Sequence, residues 1–350
     1  MRNPIRIGEL KVGRGQPVFV IAEGGVNHNG DREIAKRLIE AAAEAGAQAV
    51  KFQTFRAEAL ATQEAPKAQY QIISTGSAQS QLEMLRQLEL SGEAHRDLQA
   101  YCRERRVTFL STPFDEESAD LLEELDVPAF KISSGDVTNL PLLDHVARKG
   151  KPVILSTGMS DMDEVTKAVE TIRAAGCEDL ILLQCVTNYP AEPRDVNLRA
   201  MQTMAEAFNV PVGYSDHTTG IDIALAAVAL GACVIEKHLT LDRNLPGPDH
   251  RASLEPSELR GLVSGIRRVE AALGDGRKVP ADSELGTALV ARRSLVAAEN
   301  ISVGTKLLRE MIAAKRPGTG LPPAKLNLIL GHTALVDITA GSMLTTEMFD

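Results

Sequence analysis

Two short runs of strand-forming residues each end on a histidine. PVGYSD at 211–216 leads into His217, and CVIEKH at 233–238 finishes on His238. If these runs are neighbouring parallel strands, about 4.8 Å apart, imidazoles at matching heights could share one divalent cation. Two histidines are too few for a closed structural zinc site. They suit an open site completed by water and substrate oxygen, which is the form that Lewis-acid chemistry needs. Imidazole and water are compatible with Mn²⁺, Zn²⁺, Co²⁺ or Fe²⁺, so these residues alone do not select the metal. The competing reading is two packed, hydrogen-bonded core histidines. His28 in GGVNHNG and His250 in PGPDH are further candidate members of the site. Asp216 falls on the opposite face by strand alternation and is expected to support rather than ligate.

Other apolar runs end in polar groups of a different kind. Lys51 in AVKFQT (49–54) and Lys131 in AFKISS (129–134) are cations, and Ser134, Ser156 and Ser215 are hydroxyls at comparable places. Ammonium groups with hydroxyls and backbone amides hold a phosphate or carboxylate. A strand-end lysine can instead form a Schiff base with a carbonyl substrate, but two lysines among several hydroxyls suit anion clamping better. Glu23 closes VFVIAE (18–23) and is followed by two glycines, which let a ligand approach the backbone. Burial raises a carboxyl pKa, so Glu23 could move protons near neutrality, pair with Lys51, or do both.

These groups need a scaffold that brings strand ends together. Eight short, nearly continuous apolar runs occur: 18–23, 49–54, 108–113, 129–134, 152–157, 180–187, 211–216 and 233–238. Helix-like segments separate them, among them 31–45, 115–125, 161–176 and 255–273. Apolar runs alternating with helices mark buried parallel strands. Eight repeats favour a closed α/β architecture, the (β/α)8 TIM barrel, over an open doubly wound sheet, with the chemistry at the C-terminal ends of the strands. Residues 55–92, rich in Ser and Gln, separate the second strand from its helix and are read as a polar loop over the mouth, either a lid or a surface excursion. The expected organisation is a barrel over 1–275, a turn-rich linker over 276–289 and a small β-rich domain over 290–350.

Composition narrows the function further. The formal net charge of −9 argues against nucleic acid as a general partner, though local lysines can still bind a small anion. Cys102, Cys177, Cys185 and Cys233 show no CxxC spacing, which fits reduced thiols and a cytoplasmic setting. The N-terminus lacks the apolar core of a signal peptide, and no stretch reaches the roughly 18 apolar residues of a membrane span.

The chain resembles the sialic acid synthase family, which includes the N-acetylneuraminate and N,N′-diacetyllegionaminate synthases. IAEGGVNHNG, VKFQTF, FLSTPFD, FKISSGD, ILSTGM, YPAEPRDVNL, GYSDHTTG, the long segment ending NLPGPDH, and KRPGTG stand in the family's order and span essentially the whole chain. The resemblance implies a TIM barrel followed by an antifreeze-like (SAF) domain and a domain-swapped homodimer. It implies condensation of phosphoenolpyruvate with an open-chain N-acyl amino sugar. On that likeness His217 and His238 hold the metal, Mn²⁺ in preference to Mg²⁺ or Co²⁺, and Glu23 is the acid/base or charge-stabilising carboxylate. Lys51, Lys131, Ser134, Ser156 and Ser215 hold phosphoenolpyruvate. Thr187 joins them at a place where some N-acetylneuraminate synthases carry asparagine. Gln53, Thr112, Tyr189 and Asp249 bind the sugar, with Glu236 binding sugar or supporting the metal, and Arg316 reaches the N-acyl group from the partner subunit. VTNYP, APKAQYQ and GPDHRASLEP look most like the legionaminate branch, and the pseudaminate branch ranks last.

Overall fold

The alternation of apolar runs and helices resolves into a ring of parallel strands. The computed structural model describes residues 4–76 and 78–350. Residues 1–3, part of the segment read as free of a signal peptide, and position 77 in the 55–92 segment lie outside the described residues. A hairpin comes first, β1 (Ile5–Ile7) paired antiparallel with β2 (Leu10–Val12). The ring follows: β3 (Phe19–Gly25), β4 (Ala49–Thr54), β5 (Thr108–Pro113), β6 (Phe130–Ile132), β7 (Val153–Ser156), β8 (Leu180–Cys185), β9 (Val212–Asp216) and β10 (Val234–His238). Hydrogen-bonded order runs β5-β4-β3-β10-β9-β8-β7-β6, all parallel. The two ends, β5 and β6, pack side by side and close the barrel.

Burial explains why the strands read as unbroken apolar runs. Every residue of β3 is buried, because one face meets the barrel interior and the other the helices. The interior holds Phe19, Ile21, Leu110, Ile154, Ile181, Leu183 and Val234. Ile5, Ile7 and Val12 of the hairpin join that same cluster, so the N-terminal segment is part of the barrel core. The opposite strand faces, with Val20, Val50, Phe109 and Leu182, pack on Leu38, Leu98, Leu122 and Leu262 of the helices.

The helices begin one residue later than the sequence patterns suggest. They run Arg32–Ala45, Glu116–Glu124, Met162–Ala174 and Pro256–Leu273. Asp31, Asp115 and Asp161 are N-caps whose carboxylates accept backbone N–H bonds from the first turn. The first of these helices ends at Gly46 in the left-handed region, at φ 83°.

The 55–92 segment is not the polar loop its composition suggests. It folds into three short helices, Ala57–Leu60, Gln69–Thr75 and Gln81–Leu88. Phe55, Ala57, Leu82, Met84, Leu85 and Leu88 bury one another together with Val26, giving the segment a core of its own.

The chain divides after Gly274 into two compact units. In the second, a helix at Leu285–Ala291 occupies part of the stretch expected as a linker. Beyond it, β11 (Ser294–Ala297) pairs antiparallel with β12 (Ile312–Lys315), and single bridges such as Ile301↔Ile338 and Lys306↔Thr333 tie the rest. Leu295, Ile301, Leu307, Ile312, Ile338 and Leu344 form its core. All four cysteines are free and buried. Among the described residues no helix is long and apolar enough to cross a membrane.

Candidate active site at the barrel mouth

A cavity of about 390 Å³ opens where the strands end. Glu23, Lys51, Gln53, Thr112, Lys131, Ser134, Ser156, Thr187, Tyr189, Ser215, His217, His238 and Asp249 all line it. These residues are scattered over more than two hundred positions of sequence. The strand register gathers them, setting Glu23 beside both Lys51 and His238, and Ser215 beside Glu236. Arg316 alone among the expected site residues lies in the C-terminal unit, exposed, with Nε donating to the Ala291 carbonyl at 3.0 Å.

The floor is a network of buried charges. Lys51 Nζ lies 2.7 Å from Glu23 Oε2 and donates to Thr112 Oγ1 at 2.9 Å. Lys131 Nζ donates to Ser156 Oγ at 2.7 Å and to the Ile132 carbonyl at 2.9 Å. Glu236 sits between the lysines, 3.6 Å from Lys131 and 4.0 Å from Lys51, and accepts from Ser215 Oγ at 3.0 Å. Two lysines and two carboxylates balance formally. Burial pushes the Glu23 carboxyl up to about 7, with Lys51 opposing and Glu236 reinforcing that rise. For Glu236 burial acts in the same direction, but Lys131 and Lys51 outweigh it and hold the carboxyl below its usual range. Burial lowers Lys131, whereas at Lys51 the carboxylates of Glu23 and Glu236 overcome burial and raise the ammonium. The site therefore holds one carboxyl poised near neutrality beside one firmly ionised.

Hydroxyls and a backbone amide converge beyond Lys131. Gly158 N donates to Ser134 Oγ at 2.9 Å. A Cβ at Gly158 would stand 2.2 Å from Thr187 Oγ1 and 2.9 Å from Ser134 Oγ, so any larger residue between the ends of β6, β7 and β8 displaces these hydroxyls. Thr187 Oγ1 is buried there without a partner, a donor left for a ligand.

The two histidines form an aromatic wall above this floor. Their ring centroids are 5.3 Å apart, and Tyr189 lies 4.1 Å from His217 and 5.5 Å from His238. His217 Nδ1 lies 2.8 Å from the Val186 carbonyl. That oxygen can only accept, so in the neutral ring the proton is on Nδ1 and Nε2 keeps its lone pair. His238 Nδ1 is buried without a hydrogen-bond partner. Asp249 shares the cavity, its carboxyl pushed up to about 6 by burial. Two adjacent imidazoles, one pre-oriented and one with an orphaned ring nitrogen, fit a divalent cation. Among the described residues no cluster of three or more His, Cys, Asp or Glu would hold a metal, so any ion here needs water or substrate to complete its shell.

The other histidine candidates lie elsewhere. Neither His28 nor His250 lines the cavity. His28 Nδ1 accepts from Gly30 N at 3.0 Å, and His250 bonds Thr240 Oγ1 at 2.7 Å and Asn29 Oδ1 at 3.2 Å. Each is tied to the loop after β3 and serves that loop's shape. Asp216 faces away from the cavity onto Lys237, as alternation requires.

Several lining residues escape sequence reasoning. Cys185 ends β8 with its thiol 3.8 Å from His217 Nδ1, where strand-end position was the available signal. Tyr70, from the 55–92 segment, stacks on Tyr189 at 4.9 Å. Leu60, Met84, Leu85 and Leu88 come from the same segment and carry no sequence mark of a site.

Comparison with known proteins bears on the family and the fold. The model of the NeuB family matches residues 38–278, and that of the SAF domain matches 292–350. An N,N′-diacetyllegionaminic acid synthase of Campylobacter jejuni is 49% identical, covering 90% of this chain and 95% of that protein. A protein of the same name from Legionella pneumophila is 46% identical over 96% of this chain and 95% of its own. The crystal structure of an N-acetylneuraminic acid synthetase from Leptospira borgpetersenii in complex with citrate superposes with a TM-score of 0.72 at 37% identity. It covers 82% of this chain and 95% of that one.

Proposed function

The chain belongs to the NeuB family, and from that premise we propose that it condenses phosphoenolpyruvate with an open-chain N-acylated, mannosamine-type sugar aldehyde. The product is a nine-carbon 2-keto acid, released with phosphate. We read it as an N,N′-diacetyllegionaminate synthase. The observation that carries the reaction class is the pair of buried lysines sharing Glu236 within the cavity that also holds His217 and His238.

The residues divide the work by position. Lys51 and Lys131 supply the positive charge for the phosphate and carboxylate of phosphoenolpyruvate, while Ser134, Ser156, Thr187 and Ser215 supply hydrogen bonds, with Ser134 held by the Gly158 amide. In the free protein Glu236 and Glu23 satisfy the lysines, so the anion replaces contacts that already exist. Carbon 3 of phosphoenolpyruvate attacks the aldehyde carbon, forming the new C–C bond, and carbon 2 becomes electron-poor. Water adds at carbon 2, and cleavage of its C–O bond to phosphate leaves the keto group. Glu23, poised near 7, can take the proton of that water or stabilise the developing positive charge. His217 and His238 would hold a divalent cation, Mn²⁺ in preference to Mg²⁺ or Co²⁺, which when bound would supply Lewis acidity toward the aldehyde oxygen. Gln53, Thr112, Tyr189 and Asp249 orient the sugar. Arg316 of a domain-swapped partner meets the N-acyl group. The free, buried cysteines fit a reducing cytoplasm.

The test is phosphate release from phosphoenolpyruvate with a panel of sugars: 2,4-diacetamido-2,4,6-trideoxymannose, its altrose isomer and N-acetylmannosamine. The first should be turned over best. The likeness to the Leptospira synthetase makes N-acetylneuraminate synthesis the second reading, and preference for N-acetylmannosamine would select it. A borohydride-trapped adduct at Lys51 or Lys131 would replace both with an aldolase.

A further inference from the structure

The cavity has two unlike walls. Among the described residues, every ionisable group that lines it belongs to the strand ends or the loops that follow them, apart from Tyr70. The wall from the 55–92 segment is Leu60, Ala61, Met84, Leu85 and Leu88, edged by Tyr70, Gln71 and Gln81. This is not for want of charge in that segment. Arg86 pairs with Glu58 at 2.8 Å, Lys67 donates to Thr75 Oγ1 and the Gly76 carbonyl, and Glu83 caps its own helix at Ser80, none of them lining the cavity.

We propose that this wall selects the sugar at the end remote from its aldehyde, favouring a deoxygenated, acylamino-bearing terminus over a polyhydroxylated one. The inference rests on the proposed condensation. The aldehyde carbon must meet phosphoenolpyruvate, so it lies at the lysine and histidine side. The tail of the sugar then extends to the side that remains, and that side is apolar. A terminal methyl and an acetyl methyl bury against Leu60, Met84 and Leu85. Gln81 offers a donor and an acceptor, the complement of an acylamino group, whereas Gln71 already accepts from Ala68 N at 3.0 Å and donates to Tyr70 Oη at 3.4 Å. A terminal hydroxyl against the leucines would lose its water without gaining a partner.

Leu60 is about one-third exposed, so its replacement does not disturb a core, whereas Met84 is buried. The experiment measures kcat/KM for 2,4-diacetamido-2,4,6-trideoxymannose and for N-acetylmannosamine on the full chain and on Leu60→Gln and Met84→Gln, with thermal unfolding as a fold check. The parent should prefer the trideoxy sugar by about 10- to 100-fold, the range a hydrophobic pocket gives for such groups. Leu60→Gln should cut that preference about tenfold, with the KM for phosphoenolpyruvate unchanged. A parent without preference, or a Leu60→Gln ratio equal to the parent's, overturns the inference while leaving the condensation intact. A parent that releases no phosphate with either sugar removes the proposed function, and this inference with it.

Discussion

Asp216 Oδ2 and Lys237 Nζ meet at 2.7 Å with neither side chain exposed to solvent. The two residues are register partners on β9 and β10, and each immediately precedes a cavity histidine. Asp216 Oδ1 also accepts from Thr218 N and Thr218 Oγ1, both at 2.8 Å, and Lys237 donates to the Thr218 carbonyl at 2.6 Å. The pair thus fastens the turn after His217 to the neighbouring strand. Removing one partner strands a buried charge, so Asp216→Ala should lose about 3–5 kcal/mol. The Asp216→Leu/Lys237→Met double variant, which removes both charges, should recover much of that loss. Denaturant unfolding measures both, and a near-parental Asp216→Ala would show that the pair does not anchor the strands.

Metal removal tests the histidine pair. Chelation should stop phosphate release, and Mn²⁺ should restore it. His217→Ala and His238→Ala should stay inactive with Mn²⁺ while keeping the parent circular dichroism, because each side chain faces the cavity rather than the core. Full activity in either variant would refute the ligand assignment.

His28 sets a pH dependence of stability. Burial, and then the charges of His95 and His250, lower it from 6.5 to about 4. Between those values the unfolded chain binds the proton and the folded one does not, so stability increases with pH across the window. The contribution is whole above about 6.5 and is lost as pH falls toward 4, by about 3 kcal/mol at 1.36 kcal/mol per pH unit. His28→Asn, which retains an acceptor for Gly30 N, should lower the slope of the unfolding midpoint over pH 4.5–6.5 without abolishing it, because burial also lowers His250 to about 4. An unchanged slope would place the acid sensitivity elsewhere.

The barrel and most of its mouth were legible because strand position and alternation are local signals. Ser215 and His217 share a face with the intervening Asp216 opposite, and Glu236 and His238 repeat the pattern around Lys237. Read as runs of two-residue period, those segments already separate cavity residues from supports. The place of Glu236 between two lysines was not legible, since it depends on β4, β6 and β10 converging across the ring. The N-terminal hairpin has no sequence signal because three-residue strands leave almost no pattern. The 55–92 segment reads as a loop because it is rich in Ser and Gln, although Leu82, Leu85 and Leu88 recur at helical spacing and bury one face.

Arg316→Ala tests the proposed contribution of a partner subunit. The KM for the sugar should rise far more than that for phosphoenolpyruvate, since the arginine is assigned to the N-acyl end. Equal effects on both, or none, would leave Arg316 as the exposed turn residue that its bond to Ala291 describes.

Gly158→Ala probes the anion pocket without touching a charge. The added methyl would lie 2.2 Å from Thr187 Oγ1 and 2.9 Å from Ser134 Oγ, so both hydroxyls must swing away from the position they share with the Gly158 amide. The displaced groups are small and border an open cavity, so most of the strain can relax into the site rather than the barrel. The fold should therefore survive with a modest loss, on the order of 1–3 kcal/mol as for other overpacked positions. Binding should suffer more selectively. Hydrogen bonds to a charged group contribute about 1.5–3 kcal/mol each, so losing one should raise the KM for phosphoenolpyruvate by about 10- to 100-fold. The KM for the sugar should change little, because the added methyl meets Thr187 and Ser134 and none of Gln53, Thr112, Tyr189 or Asp249, the residues assigned to the sugar. Steady-state kinetics with each substrate varied in turn decides the matter, and a variant that loses sugar affinity instead would move the phosphate away from the ends of β6, β7 and β8.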